Sequence, residues 1–432
     1  MKTIRMIGTT LVAVALSFTL YSFNVTDKIT EGNNVDGTSQ ENSPEASYPV
    51  AEWGKATEIL MHTPGDELFN GMINPLAALF EYYFDVDLAV AEHRSYISIL
   101  EANGIVVHTI SEILQQAPIE DLRNYVRNEL KYEVSQGVKD NSAASEEYRL
   151  RTIGEMSRND LIRCIMLRPT VSLTATDINT GLEAEYKQSP LFNLYFTRDQ
   201  SISTPKGHII SNMNSLQRSA ETTLISFCYE QLGIKPILRI TGEGRLEGGD
   251  YIPAGTQAFI GCGMRTNIEA IHQIMNADAF GHDTIAVVKD RKWWQMQMHL
   301  DTYFNIIDKD LCTLVDSRLH ATPEDEEWLT VDIYARADDG VSYKMVEQDL
   351  PFVEYLHKCG YKIIPIHEAD ELHYANNYLT IAPRHIVAVA NQSQELAKAF
   401  AEHGVTVEWV QLENLIKGYG AAHCMTQVTK RK

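Results

Sequence analysis

Four short stretches of the chain gather polar or reactive residues in otherwise apolar surroundings. The first, Asn193-Leu194-Tyr195-Phe196-Thr197-Arg198-Asp199, reads as a strand-like run that ends in a charged pair, which by itself is an ordinary strand end with a surface ion pair. In the second, Glu247-Gly248-Gly249-Asp250, two glycines let the backbone turn sharply beside two carboxylates, as a plain turn also would. Met298-His299-Leu300-Asp301-Thr302 sets a histidine and an aspartate two positions apart, on one face if the segment is extended. Such a pair can be a base with its orienter, or two metal ligands, although the third His or Cys that a metal needs is absent nearby. The fourth, Gly418-Tyr419-Gly420-Ala421-Ala422-His423-Cys424-Met425, reads as a flexible loop whose small residues and adjacent histidine favour an accessible thiol over a buried structural cysteine.

A thiol, an imidazole and several carboxylates together suit attack on a cationic sp² carbon. Two carboxylates can grip a planar guanidinium by charge-assisted hydrogen bonds, a thiolate can attack its central carbon, and a histidine with a glutamate can move the protons.

These residues need a scaffold, and the surrounding pattern is that of an α/β protein. Short β-branched runs at Ile105-Val106-Val107, 285–288, 361–364, 386–389 and 405–407 read as strands. Val86, Val90, His93, Ile97 and Leu100 recur at helical spacing up to Gly104, and Leu396, Ala399 and Phe400 do so up to Gly404. Thr266 and Glu269 suggest a capping box for a helix that buries Ile268, Ile271 and Met275. From about 111 to 189 the rhythm breaks into a polar, helix-like stretch, read as a helical insertion, and no repeat of 20–50 residues is visible.

Lys2 and Arg5 precede an uncharged run from Met6 to Phe23, the pattern of an export signal or, uncleaved, a membrane anchor over residues 1–23. Residues 24–47 form a polar linker, and 48–432 the folded part. The protein is thus expected to be periplasmic or secreted, or membrane-anchored if the segment stays. With 37 Lys plus Arg against 58 Asp plus Glu, the net charge of −21 excludes nucleic acid as a partner. The six cysteines contain no CxxC pair, which argues against a zinc finger or redox dithiol.

In this order the four stretches resemble the arginine deiminases of the guanidino-group-modifying superfamily, as do His62-Thr63-Pro64-Gly65-Asp66-Glu67-Leu68, Glu92-His93, Met213, Arg218, Glu221-Thr222 and Arg265-Thr266. The resemblance runs from about Trp53 to Met425. It implies a five-bladed pseudosymmetric α/β propeller, the pentein fold, with its site in the central channel. It also implies Cys424 as nucleophile, His299 and Glu247 as acid/base pair, Asp199 and Asp301 as guanidinium clamp and Phe196 as an aromatic wall. Asn193, Arg218 and Arg265 would hold the amino-acid head group. The implied reaction is hydrolysis of L-arginine to L-citrulline and ammonia through a covalent thiouronium, without metal or organic cofactor, in a chain expected to form a homo-oligomer. Tyr419 departs from the family, which typically has an arginine there. The alternatives are a deiminase or amidinotransferase acting on a related guanidino compound, and an exported arginine-binding protein.

Overall fold

Strands and helices alternate through residues 48–138 and 141–432, the part of the chain that the computed structural model describes. The spaced apolar positions after Asp85 wind into the helix Val86–Ala102, where the Asp85 carboxylate accepts from the Leu88 amide at 3.0 Å. Gly104, at φ 75°, adopts the left-handed conformation that ends it. Ser393 caps the helix Gln394–Glu402 in the same way, by accepting from the Leu396 amide at 3.1 Å. The capping box expected at Thr266 does not form. Asn267 caps the helix Ile268–Asn276 through the Ala270 amide at 3.1 Å, and Thr266 instead takes the Glu247 amide at 3.1 Å. Asn267 is one residue nearer the first turn and holds an extended φ/ψ, which leaves the Thr266 hydroxyl free for that loop.

Five sheets share one wiring: an antiparallel pair whose second strand is joined, through a helix, to a parallel third. The first of them brings the chain ends together, because Gln427–Arg431 pairs antiparallel with Ala56–Met61, which pairs parallel with Val106–Thr109. Ser201–Thr204, Gly207–Ile210 and Leu238–Arg239 form the second. In the third, Tyr251–Ala254 and Gln257–Cys262 precede Thr284–Lys289, and a further hairpin of Thr330–Arg336 and Tyr343–Pro351 widens the sheet to five strands. Phe304–Asp308, Leu311–Val315 and Lys362–Ile366 make the fourth. The fifth consists of Leu379–Ala382, His385–Val389 and Thr406–Val410. A parallel pair cannot be joined by a tight turn, and the helices Val86–Ala102, Glu221–Gln231, Ile268–Asn276, Phe352–Lys358 and Gln394–Glu402 supply the crossovers. Strands such as Ala286, Val287 and Val288 are buried on both faces, which is why they read as continuous apolar runs rather than as alternation.

Residues 111–189 hold the helices Ile119–Glu129, Glu146–Glu155 and Arg158–Leu167, together with a sheet that the helical reading did not include. Its strands are Lys131–Val134, Pro169–Ala175 and Leu182–Gln188, with the last almost wholly exposed, so no buried face marked it in the sequence. The expected signal or anchor segment, residues 1–23, and the linker of 24–47 lie outside the described residues. Among the described residues no helix is long and apolar enough to cross a membrane.

Candidate active site

The repeated wiring has a consequence for chemistry. Immediately before the first strand of each sheet runs a short loop, and the five loops carry Asn193 to Asp199, Glu247 to Asp250, His299 to Asp301, Asn376 with Asn377, and His423 with Cys424. Residues 123 and 226 positions apart in the chain are thereby brought to one place, for the Cys424 thiol lies 3.6 Å from Asp301 Oδ2, and the Arg198 amide donates to the Cys424 carbonyl at 3.0 Å.

Cys424 is only 1% exposed, which corrects the accessible thiol expected from its small neighbours. Those neighbours serve close packing instead. A β-carbon on Gly420 would stand 2.9 Å from both the Cys424 sulfur and the Phe196 ring, so the thiol and the ring meet across a position that only glycine fits. Burial, and then the charges of Asp301 and Asp199, push the thiol well above its ordinary range. His423 does not contact the sulfur. Its Nδ1 and Asp301 Oδ2 are 2.7 Å apart, and this hydrogen bond brings Asp301 down against the opposing effect of burial.

Asn377 holds the Cys424 loop. Its side-chain oxygen accepts from the Ala421 amide at 2.8 Å and the Cys424 amide at 3.1 Å, while its Nδ2 donates to the Asp301 carbonyl at 3.2 Å. No sequence motif singled it out, because Ala375-Asn376-Asn377-Tyr378 looks like any turn; its place at the head of the fifth sheet is what reveals it. Glu92 steadies the far end of the same loop by accepting from the Asn414 amide at 3.0 Å and the Leu415 amide at 3.1 Å.

Opposite lies the imidazole. His299 Nε2 is 2.9 Å from Glu247 Oε2, and its Nδ1 is 3.7 Å from Asp199 Oδ1, too far for a hydrogen bond. Both of those last atoms are buried and have no hydrogen-bond partner. Burial disfavours a charged imidazole, but Asp199 and the bond to Glu247 outweigh it and raise His299 to about 9. Glu247 moves the other way: burial would raise it, yet His299 and Arg265 bring it to about 2. Gly249 packs flat against the imidazole, where a β-carbon would come within 2.7 Å of Nδ1. Asp250, the second carboxylate of that turn, accepts from the Leu300 amide at 3.0 Å and so anchors the residue next to His299. His299 is extended and Leu300–Tyr303 forms a helical turn, so the two side chains of the His299, Asp301 pair do not share a strand face.

The run from Asn193 to Asp199 is a pair of turns rather than a strand, with the Phe196 amide donating to the Asn193 carbonyl at 3.0 Å. Arg198 and Asp199 are both buried and do not form a surface ion pair, since Arg198 Nε donates to the His423 carbonyl at 3.2 Å and Asp199 Oδ2 accepts from Arg218 Nη1 at 2.7 Å. Arg218 also donates from Nη2 to Glu221 at 2.9 Å and to the Phe196 carbonyl at 3.3 Å. Its guanidinium is therefore engaged with the Asp199 carboxylate itself. Arg265 contacts Gln295 through Nη2 at 2.9 Å and approaches Glu247 at 3.8 Å, and its buried Nε has no hydrogen-bond partner. Asn193 donates to the Ala78 carbonyl at 3.1 Å. Tyr419 sits in the left-handed region at φ 66°.

Asp199, Glu247 and His299 could each offer a ligand atom to a cation, with the three atoms within 4.8 Å of one another. Arg218 on Asp199 and Arg265 beside Glu247 already place positive charge there, which works against a dication.

Sheet wiring and site together define an α/β protein in which repeated units deliver a buried thiol, an imidazole and three carboxylates to one point. The chain belongs to the arginine deiminase family, whose profile matches residues 77–431. It is 25% identical to the arginine deiminase of Halobacterium salinarum, over 88% of this chain and 96% of the relative. Identity to the arginine deiminase of Streptococcus pneumoniae serotype 4 is 26%, over 90% and 99%. Among solved structures, DDAH from Pseudomonas aeruginosa complexed with citrulline superimposes with a TM-score of 0.52 at 16% identity, covering 86% of this chain and 99% of that one. The N-terminal domain of ArgZ covalently bound to a reaction intermediate gives 0.53 at 14% identity, covering 87% and 98%. At such identities these two likenesses concern the fold, which is the α/β pentein type.

Proposed function

We propose that this protein hydrolyses L-arginine to L-citrulline and ammonia through a covalent intermediate on Cys424. The observation that carries the reading is the placement of the buried thiol against Asp301, with Asp199 adding to the same field: a site in which burial and then these carboxylates hold the thiol protonated until a cation arrives. A guanidinium between the two carboxylates offsets their negative charge and favours loss of the thiol proton to solvent, so the nucleophile is activated where its target is bound.

The thiolate attacks the central carbon to give a neutral tetrahedral adduct. His299, charged at neutral pH by its position among Asp199 and Glu247, donates a proton to one amino group, ammonia leaves, and a thiouronium remains. The now neutral His299 takes a proton from water as the water adds to the same carbon. Collapse then releases the neutral ureido product as the hydroxyl proton passes to the departing sulfur, which restores the Cys424 thiol beside the recharged His299. Glu247 stabilises the charged imidazole, and Phe196 walls the site. Arg265, with its unpartnered Nε, and Asn193 are assigned to the substrate's amino-acid head group.

The same reading includes five blades arranged as a closed propeller, supported by the pairing of the last strand with Ala56–Met61, and a chain that is exported by residues 1–23 and assembles as a homo-oligomer. Citrulline in the related P. aeruginosa structure is consistent with the proposed product. A second reading, a guanidino compound without a carboxylate, draws on Arg218 being engaged with Asp199 and on tyrosine at position 419. Incubating arginine, agmatine and methylated arginines with wild type and Cys424→Ala, with ureido product and ammonia as readout, tests both. Arginine turnover lost by at least about a thousandfold in Cys424→Ala is expected. Retained citrulline formation by that variant would falsify the covalent route.

A further inference from the structure

We propose that His423, backed by Glu52 and Arg431, is the positioning residue that sets the Asp301 carboxylate for the guanidinium. The inference rests on the reading that Asp301 grips the substrate cation, and it adds a group that no part of that chemistry requires.

His423 adjoins Cys424 in sequence, and its ring bonds the carboxylate rather than the sulfur. Its Nδ1 meets Asp301 Oδ2 at 2.7 Å, and that oxygen is the one nearer the thiol, at 3.6 Å against 3.9 Å for Oδ1. A terminal carboxylate rotates easily about its last torsion, so an otherwise unheld Asp301 could turn its charge toward or away from a bound cation. The imidazole removes that freedom: Oδ2 is taken, and Oδ1, whose hydrogen-bonding neighbour among the described residues is the thiol, is left for the ligand.

The imidazole is itself held. Its backbone amide donates to the Asn377 carbonyl at 3.0 Å, and its carbonyl accepts from Arg198 Nε at 3.2 Å. Behind the ring, Glu52 Oε1 lies 3.5 Å from Nε2 and bonds closely to Arg431 Nη2. Arg431 Nη1 then donates to the carbonyls of Gly54 at 2.8 Å and Thr380 at 2.7 Å. Every side chain in this line, Asp301, His423, Glu52 and Arg431, is at most 2% exposed. Glu52 comes from just before the first strand and Arg431 from the last, so the line ties the joined chain ends to the clamp. A buried string of charged groups contributes less to stability than apolar packing of the same volume would, which makes orientation of Asp301 the better account of it.

The test measures L-arginine binding by calorimetry in the Cys424→Ala background, with His423→Ala, His423→Asn and His423→Gln added and each melting temperature recorded. An asparagine amide can stand in for Nδ1–H and a glutamine amide for Nε2–H. Loss of one charge-assisted hydrogen bond on the clamp predicts about tenfold weaker binding for the Ala and Gln variants, and Asn recovering to within about threefold of the parent. Equal affinity in all three, or recovery by Gln as good as by Asn, overturns the proposal even if His423→Ala proves too unstable to assay. A folded Cys424→Ala parent that binds no arginine would instead sink the proposed function, and this inference with it.

Discussion

Replacing Asn377 by alanine should damage both the stability and the chemistry of this protein, by amounts that follow from three hydrogen bonds. The substitution deletes the acceptor shared by the Ala421 and Cys424 amides, both on residues buried to 1% or less, and leaves two N–H groups without partners. Each orphaned buried donor costs roughly 1–3 kcal/mol, or about 2–6 kcal/mol together. With an unfolding entropy of about 2.1 cal/mol/K per residue over this folded part, that is a fall in melting temperature of roughly 3–7 °C. The Asp301 carbonyl loses less, since Asn376 still donates to it at 3.3 Å. Activity suffers separately, because the amide of the nucleophile is no longer fixed, and displacement of a reacting group by about 1 Å costs about a hundredfold in rate. Asn377→Asp is the control. It keeps the acceptor for both amides, so the Cys424 amide stays fixed, but it replaces the donor to the Asp301 carbonyl with an acceptor and buries negative charge beside the thiol, so the melting temperature falls too and iodoacetamide alkylation of Cys424 should shift to higher pH. Thermal melts, citrulline assays and the pH profile of alkylation decide the matter. An Ala variant with wild-type melting temperature and turnover would show that the loop is held by something else.

Gly420→Ala should keep the fold but lower turnover at least about tenfold, since its β-carbon would press at 2.9 Å on the Cys424 sulfur and the Phe196 ring; steady-state kinetics with a matched melting curve checks this. His299 predicts a pH dependence of stability. Its folded value, about 9, lies above the ordinary 6.5, so its contribution is fully present below about 6.5 and is lost as pH rises through 9. Melting temperatures from pH 6 to 10 should therefore fall more steeply for wild type than for His299→Gln, and parallel curves would remove the imidazolium from the account.

Much of the site was legible because its chemistry demands particular residue types. A thiol, an imidazole and paired carboxylates stand out when they interrupt apolar runs, and Cys424, His299, Glu247, Asp199 and Asp301 do lie at one place in the fold. What the sequence hid were the groups that act through geometry. Asn377 is an ordinary turn asparagine until its oxygen is seen between two amides. Glu52 and Arg431, near opposite ends of the folded part, look like surface charges in the sequence and are buried partners. The five-fold wiring was invisible for a related reason: what recurs is the pairing order of strands, and strands buried on both faces need only be apolar, so no residue period has to repeat.

Arg218 has contacts that differ from those its motif position implies. Its motif position suggests a fork for a substrate carboxylate, but in this structure the fork lies on Asp199 Oδ2 and Glu221. That bond leaves Asp199 Oδ1 unpartnered and facing His299. Asp301 is arranged in parallel, with Oδ2 taken by His423 and Oδ1 in contact, among the described residues, with the thiol alone, at 3.9 Å. Each clamp carboxylate thus has one oxygen secured by a protein donor and one kept back. Two oxygens held ready in this way suit a planar cation, whose N–H groups can satisfy both at once, better than they suit a single metal ion or a proton.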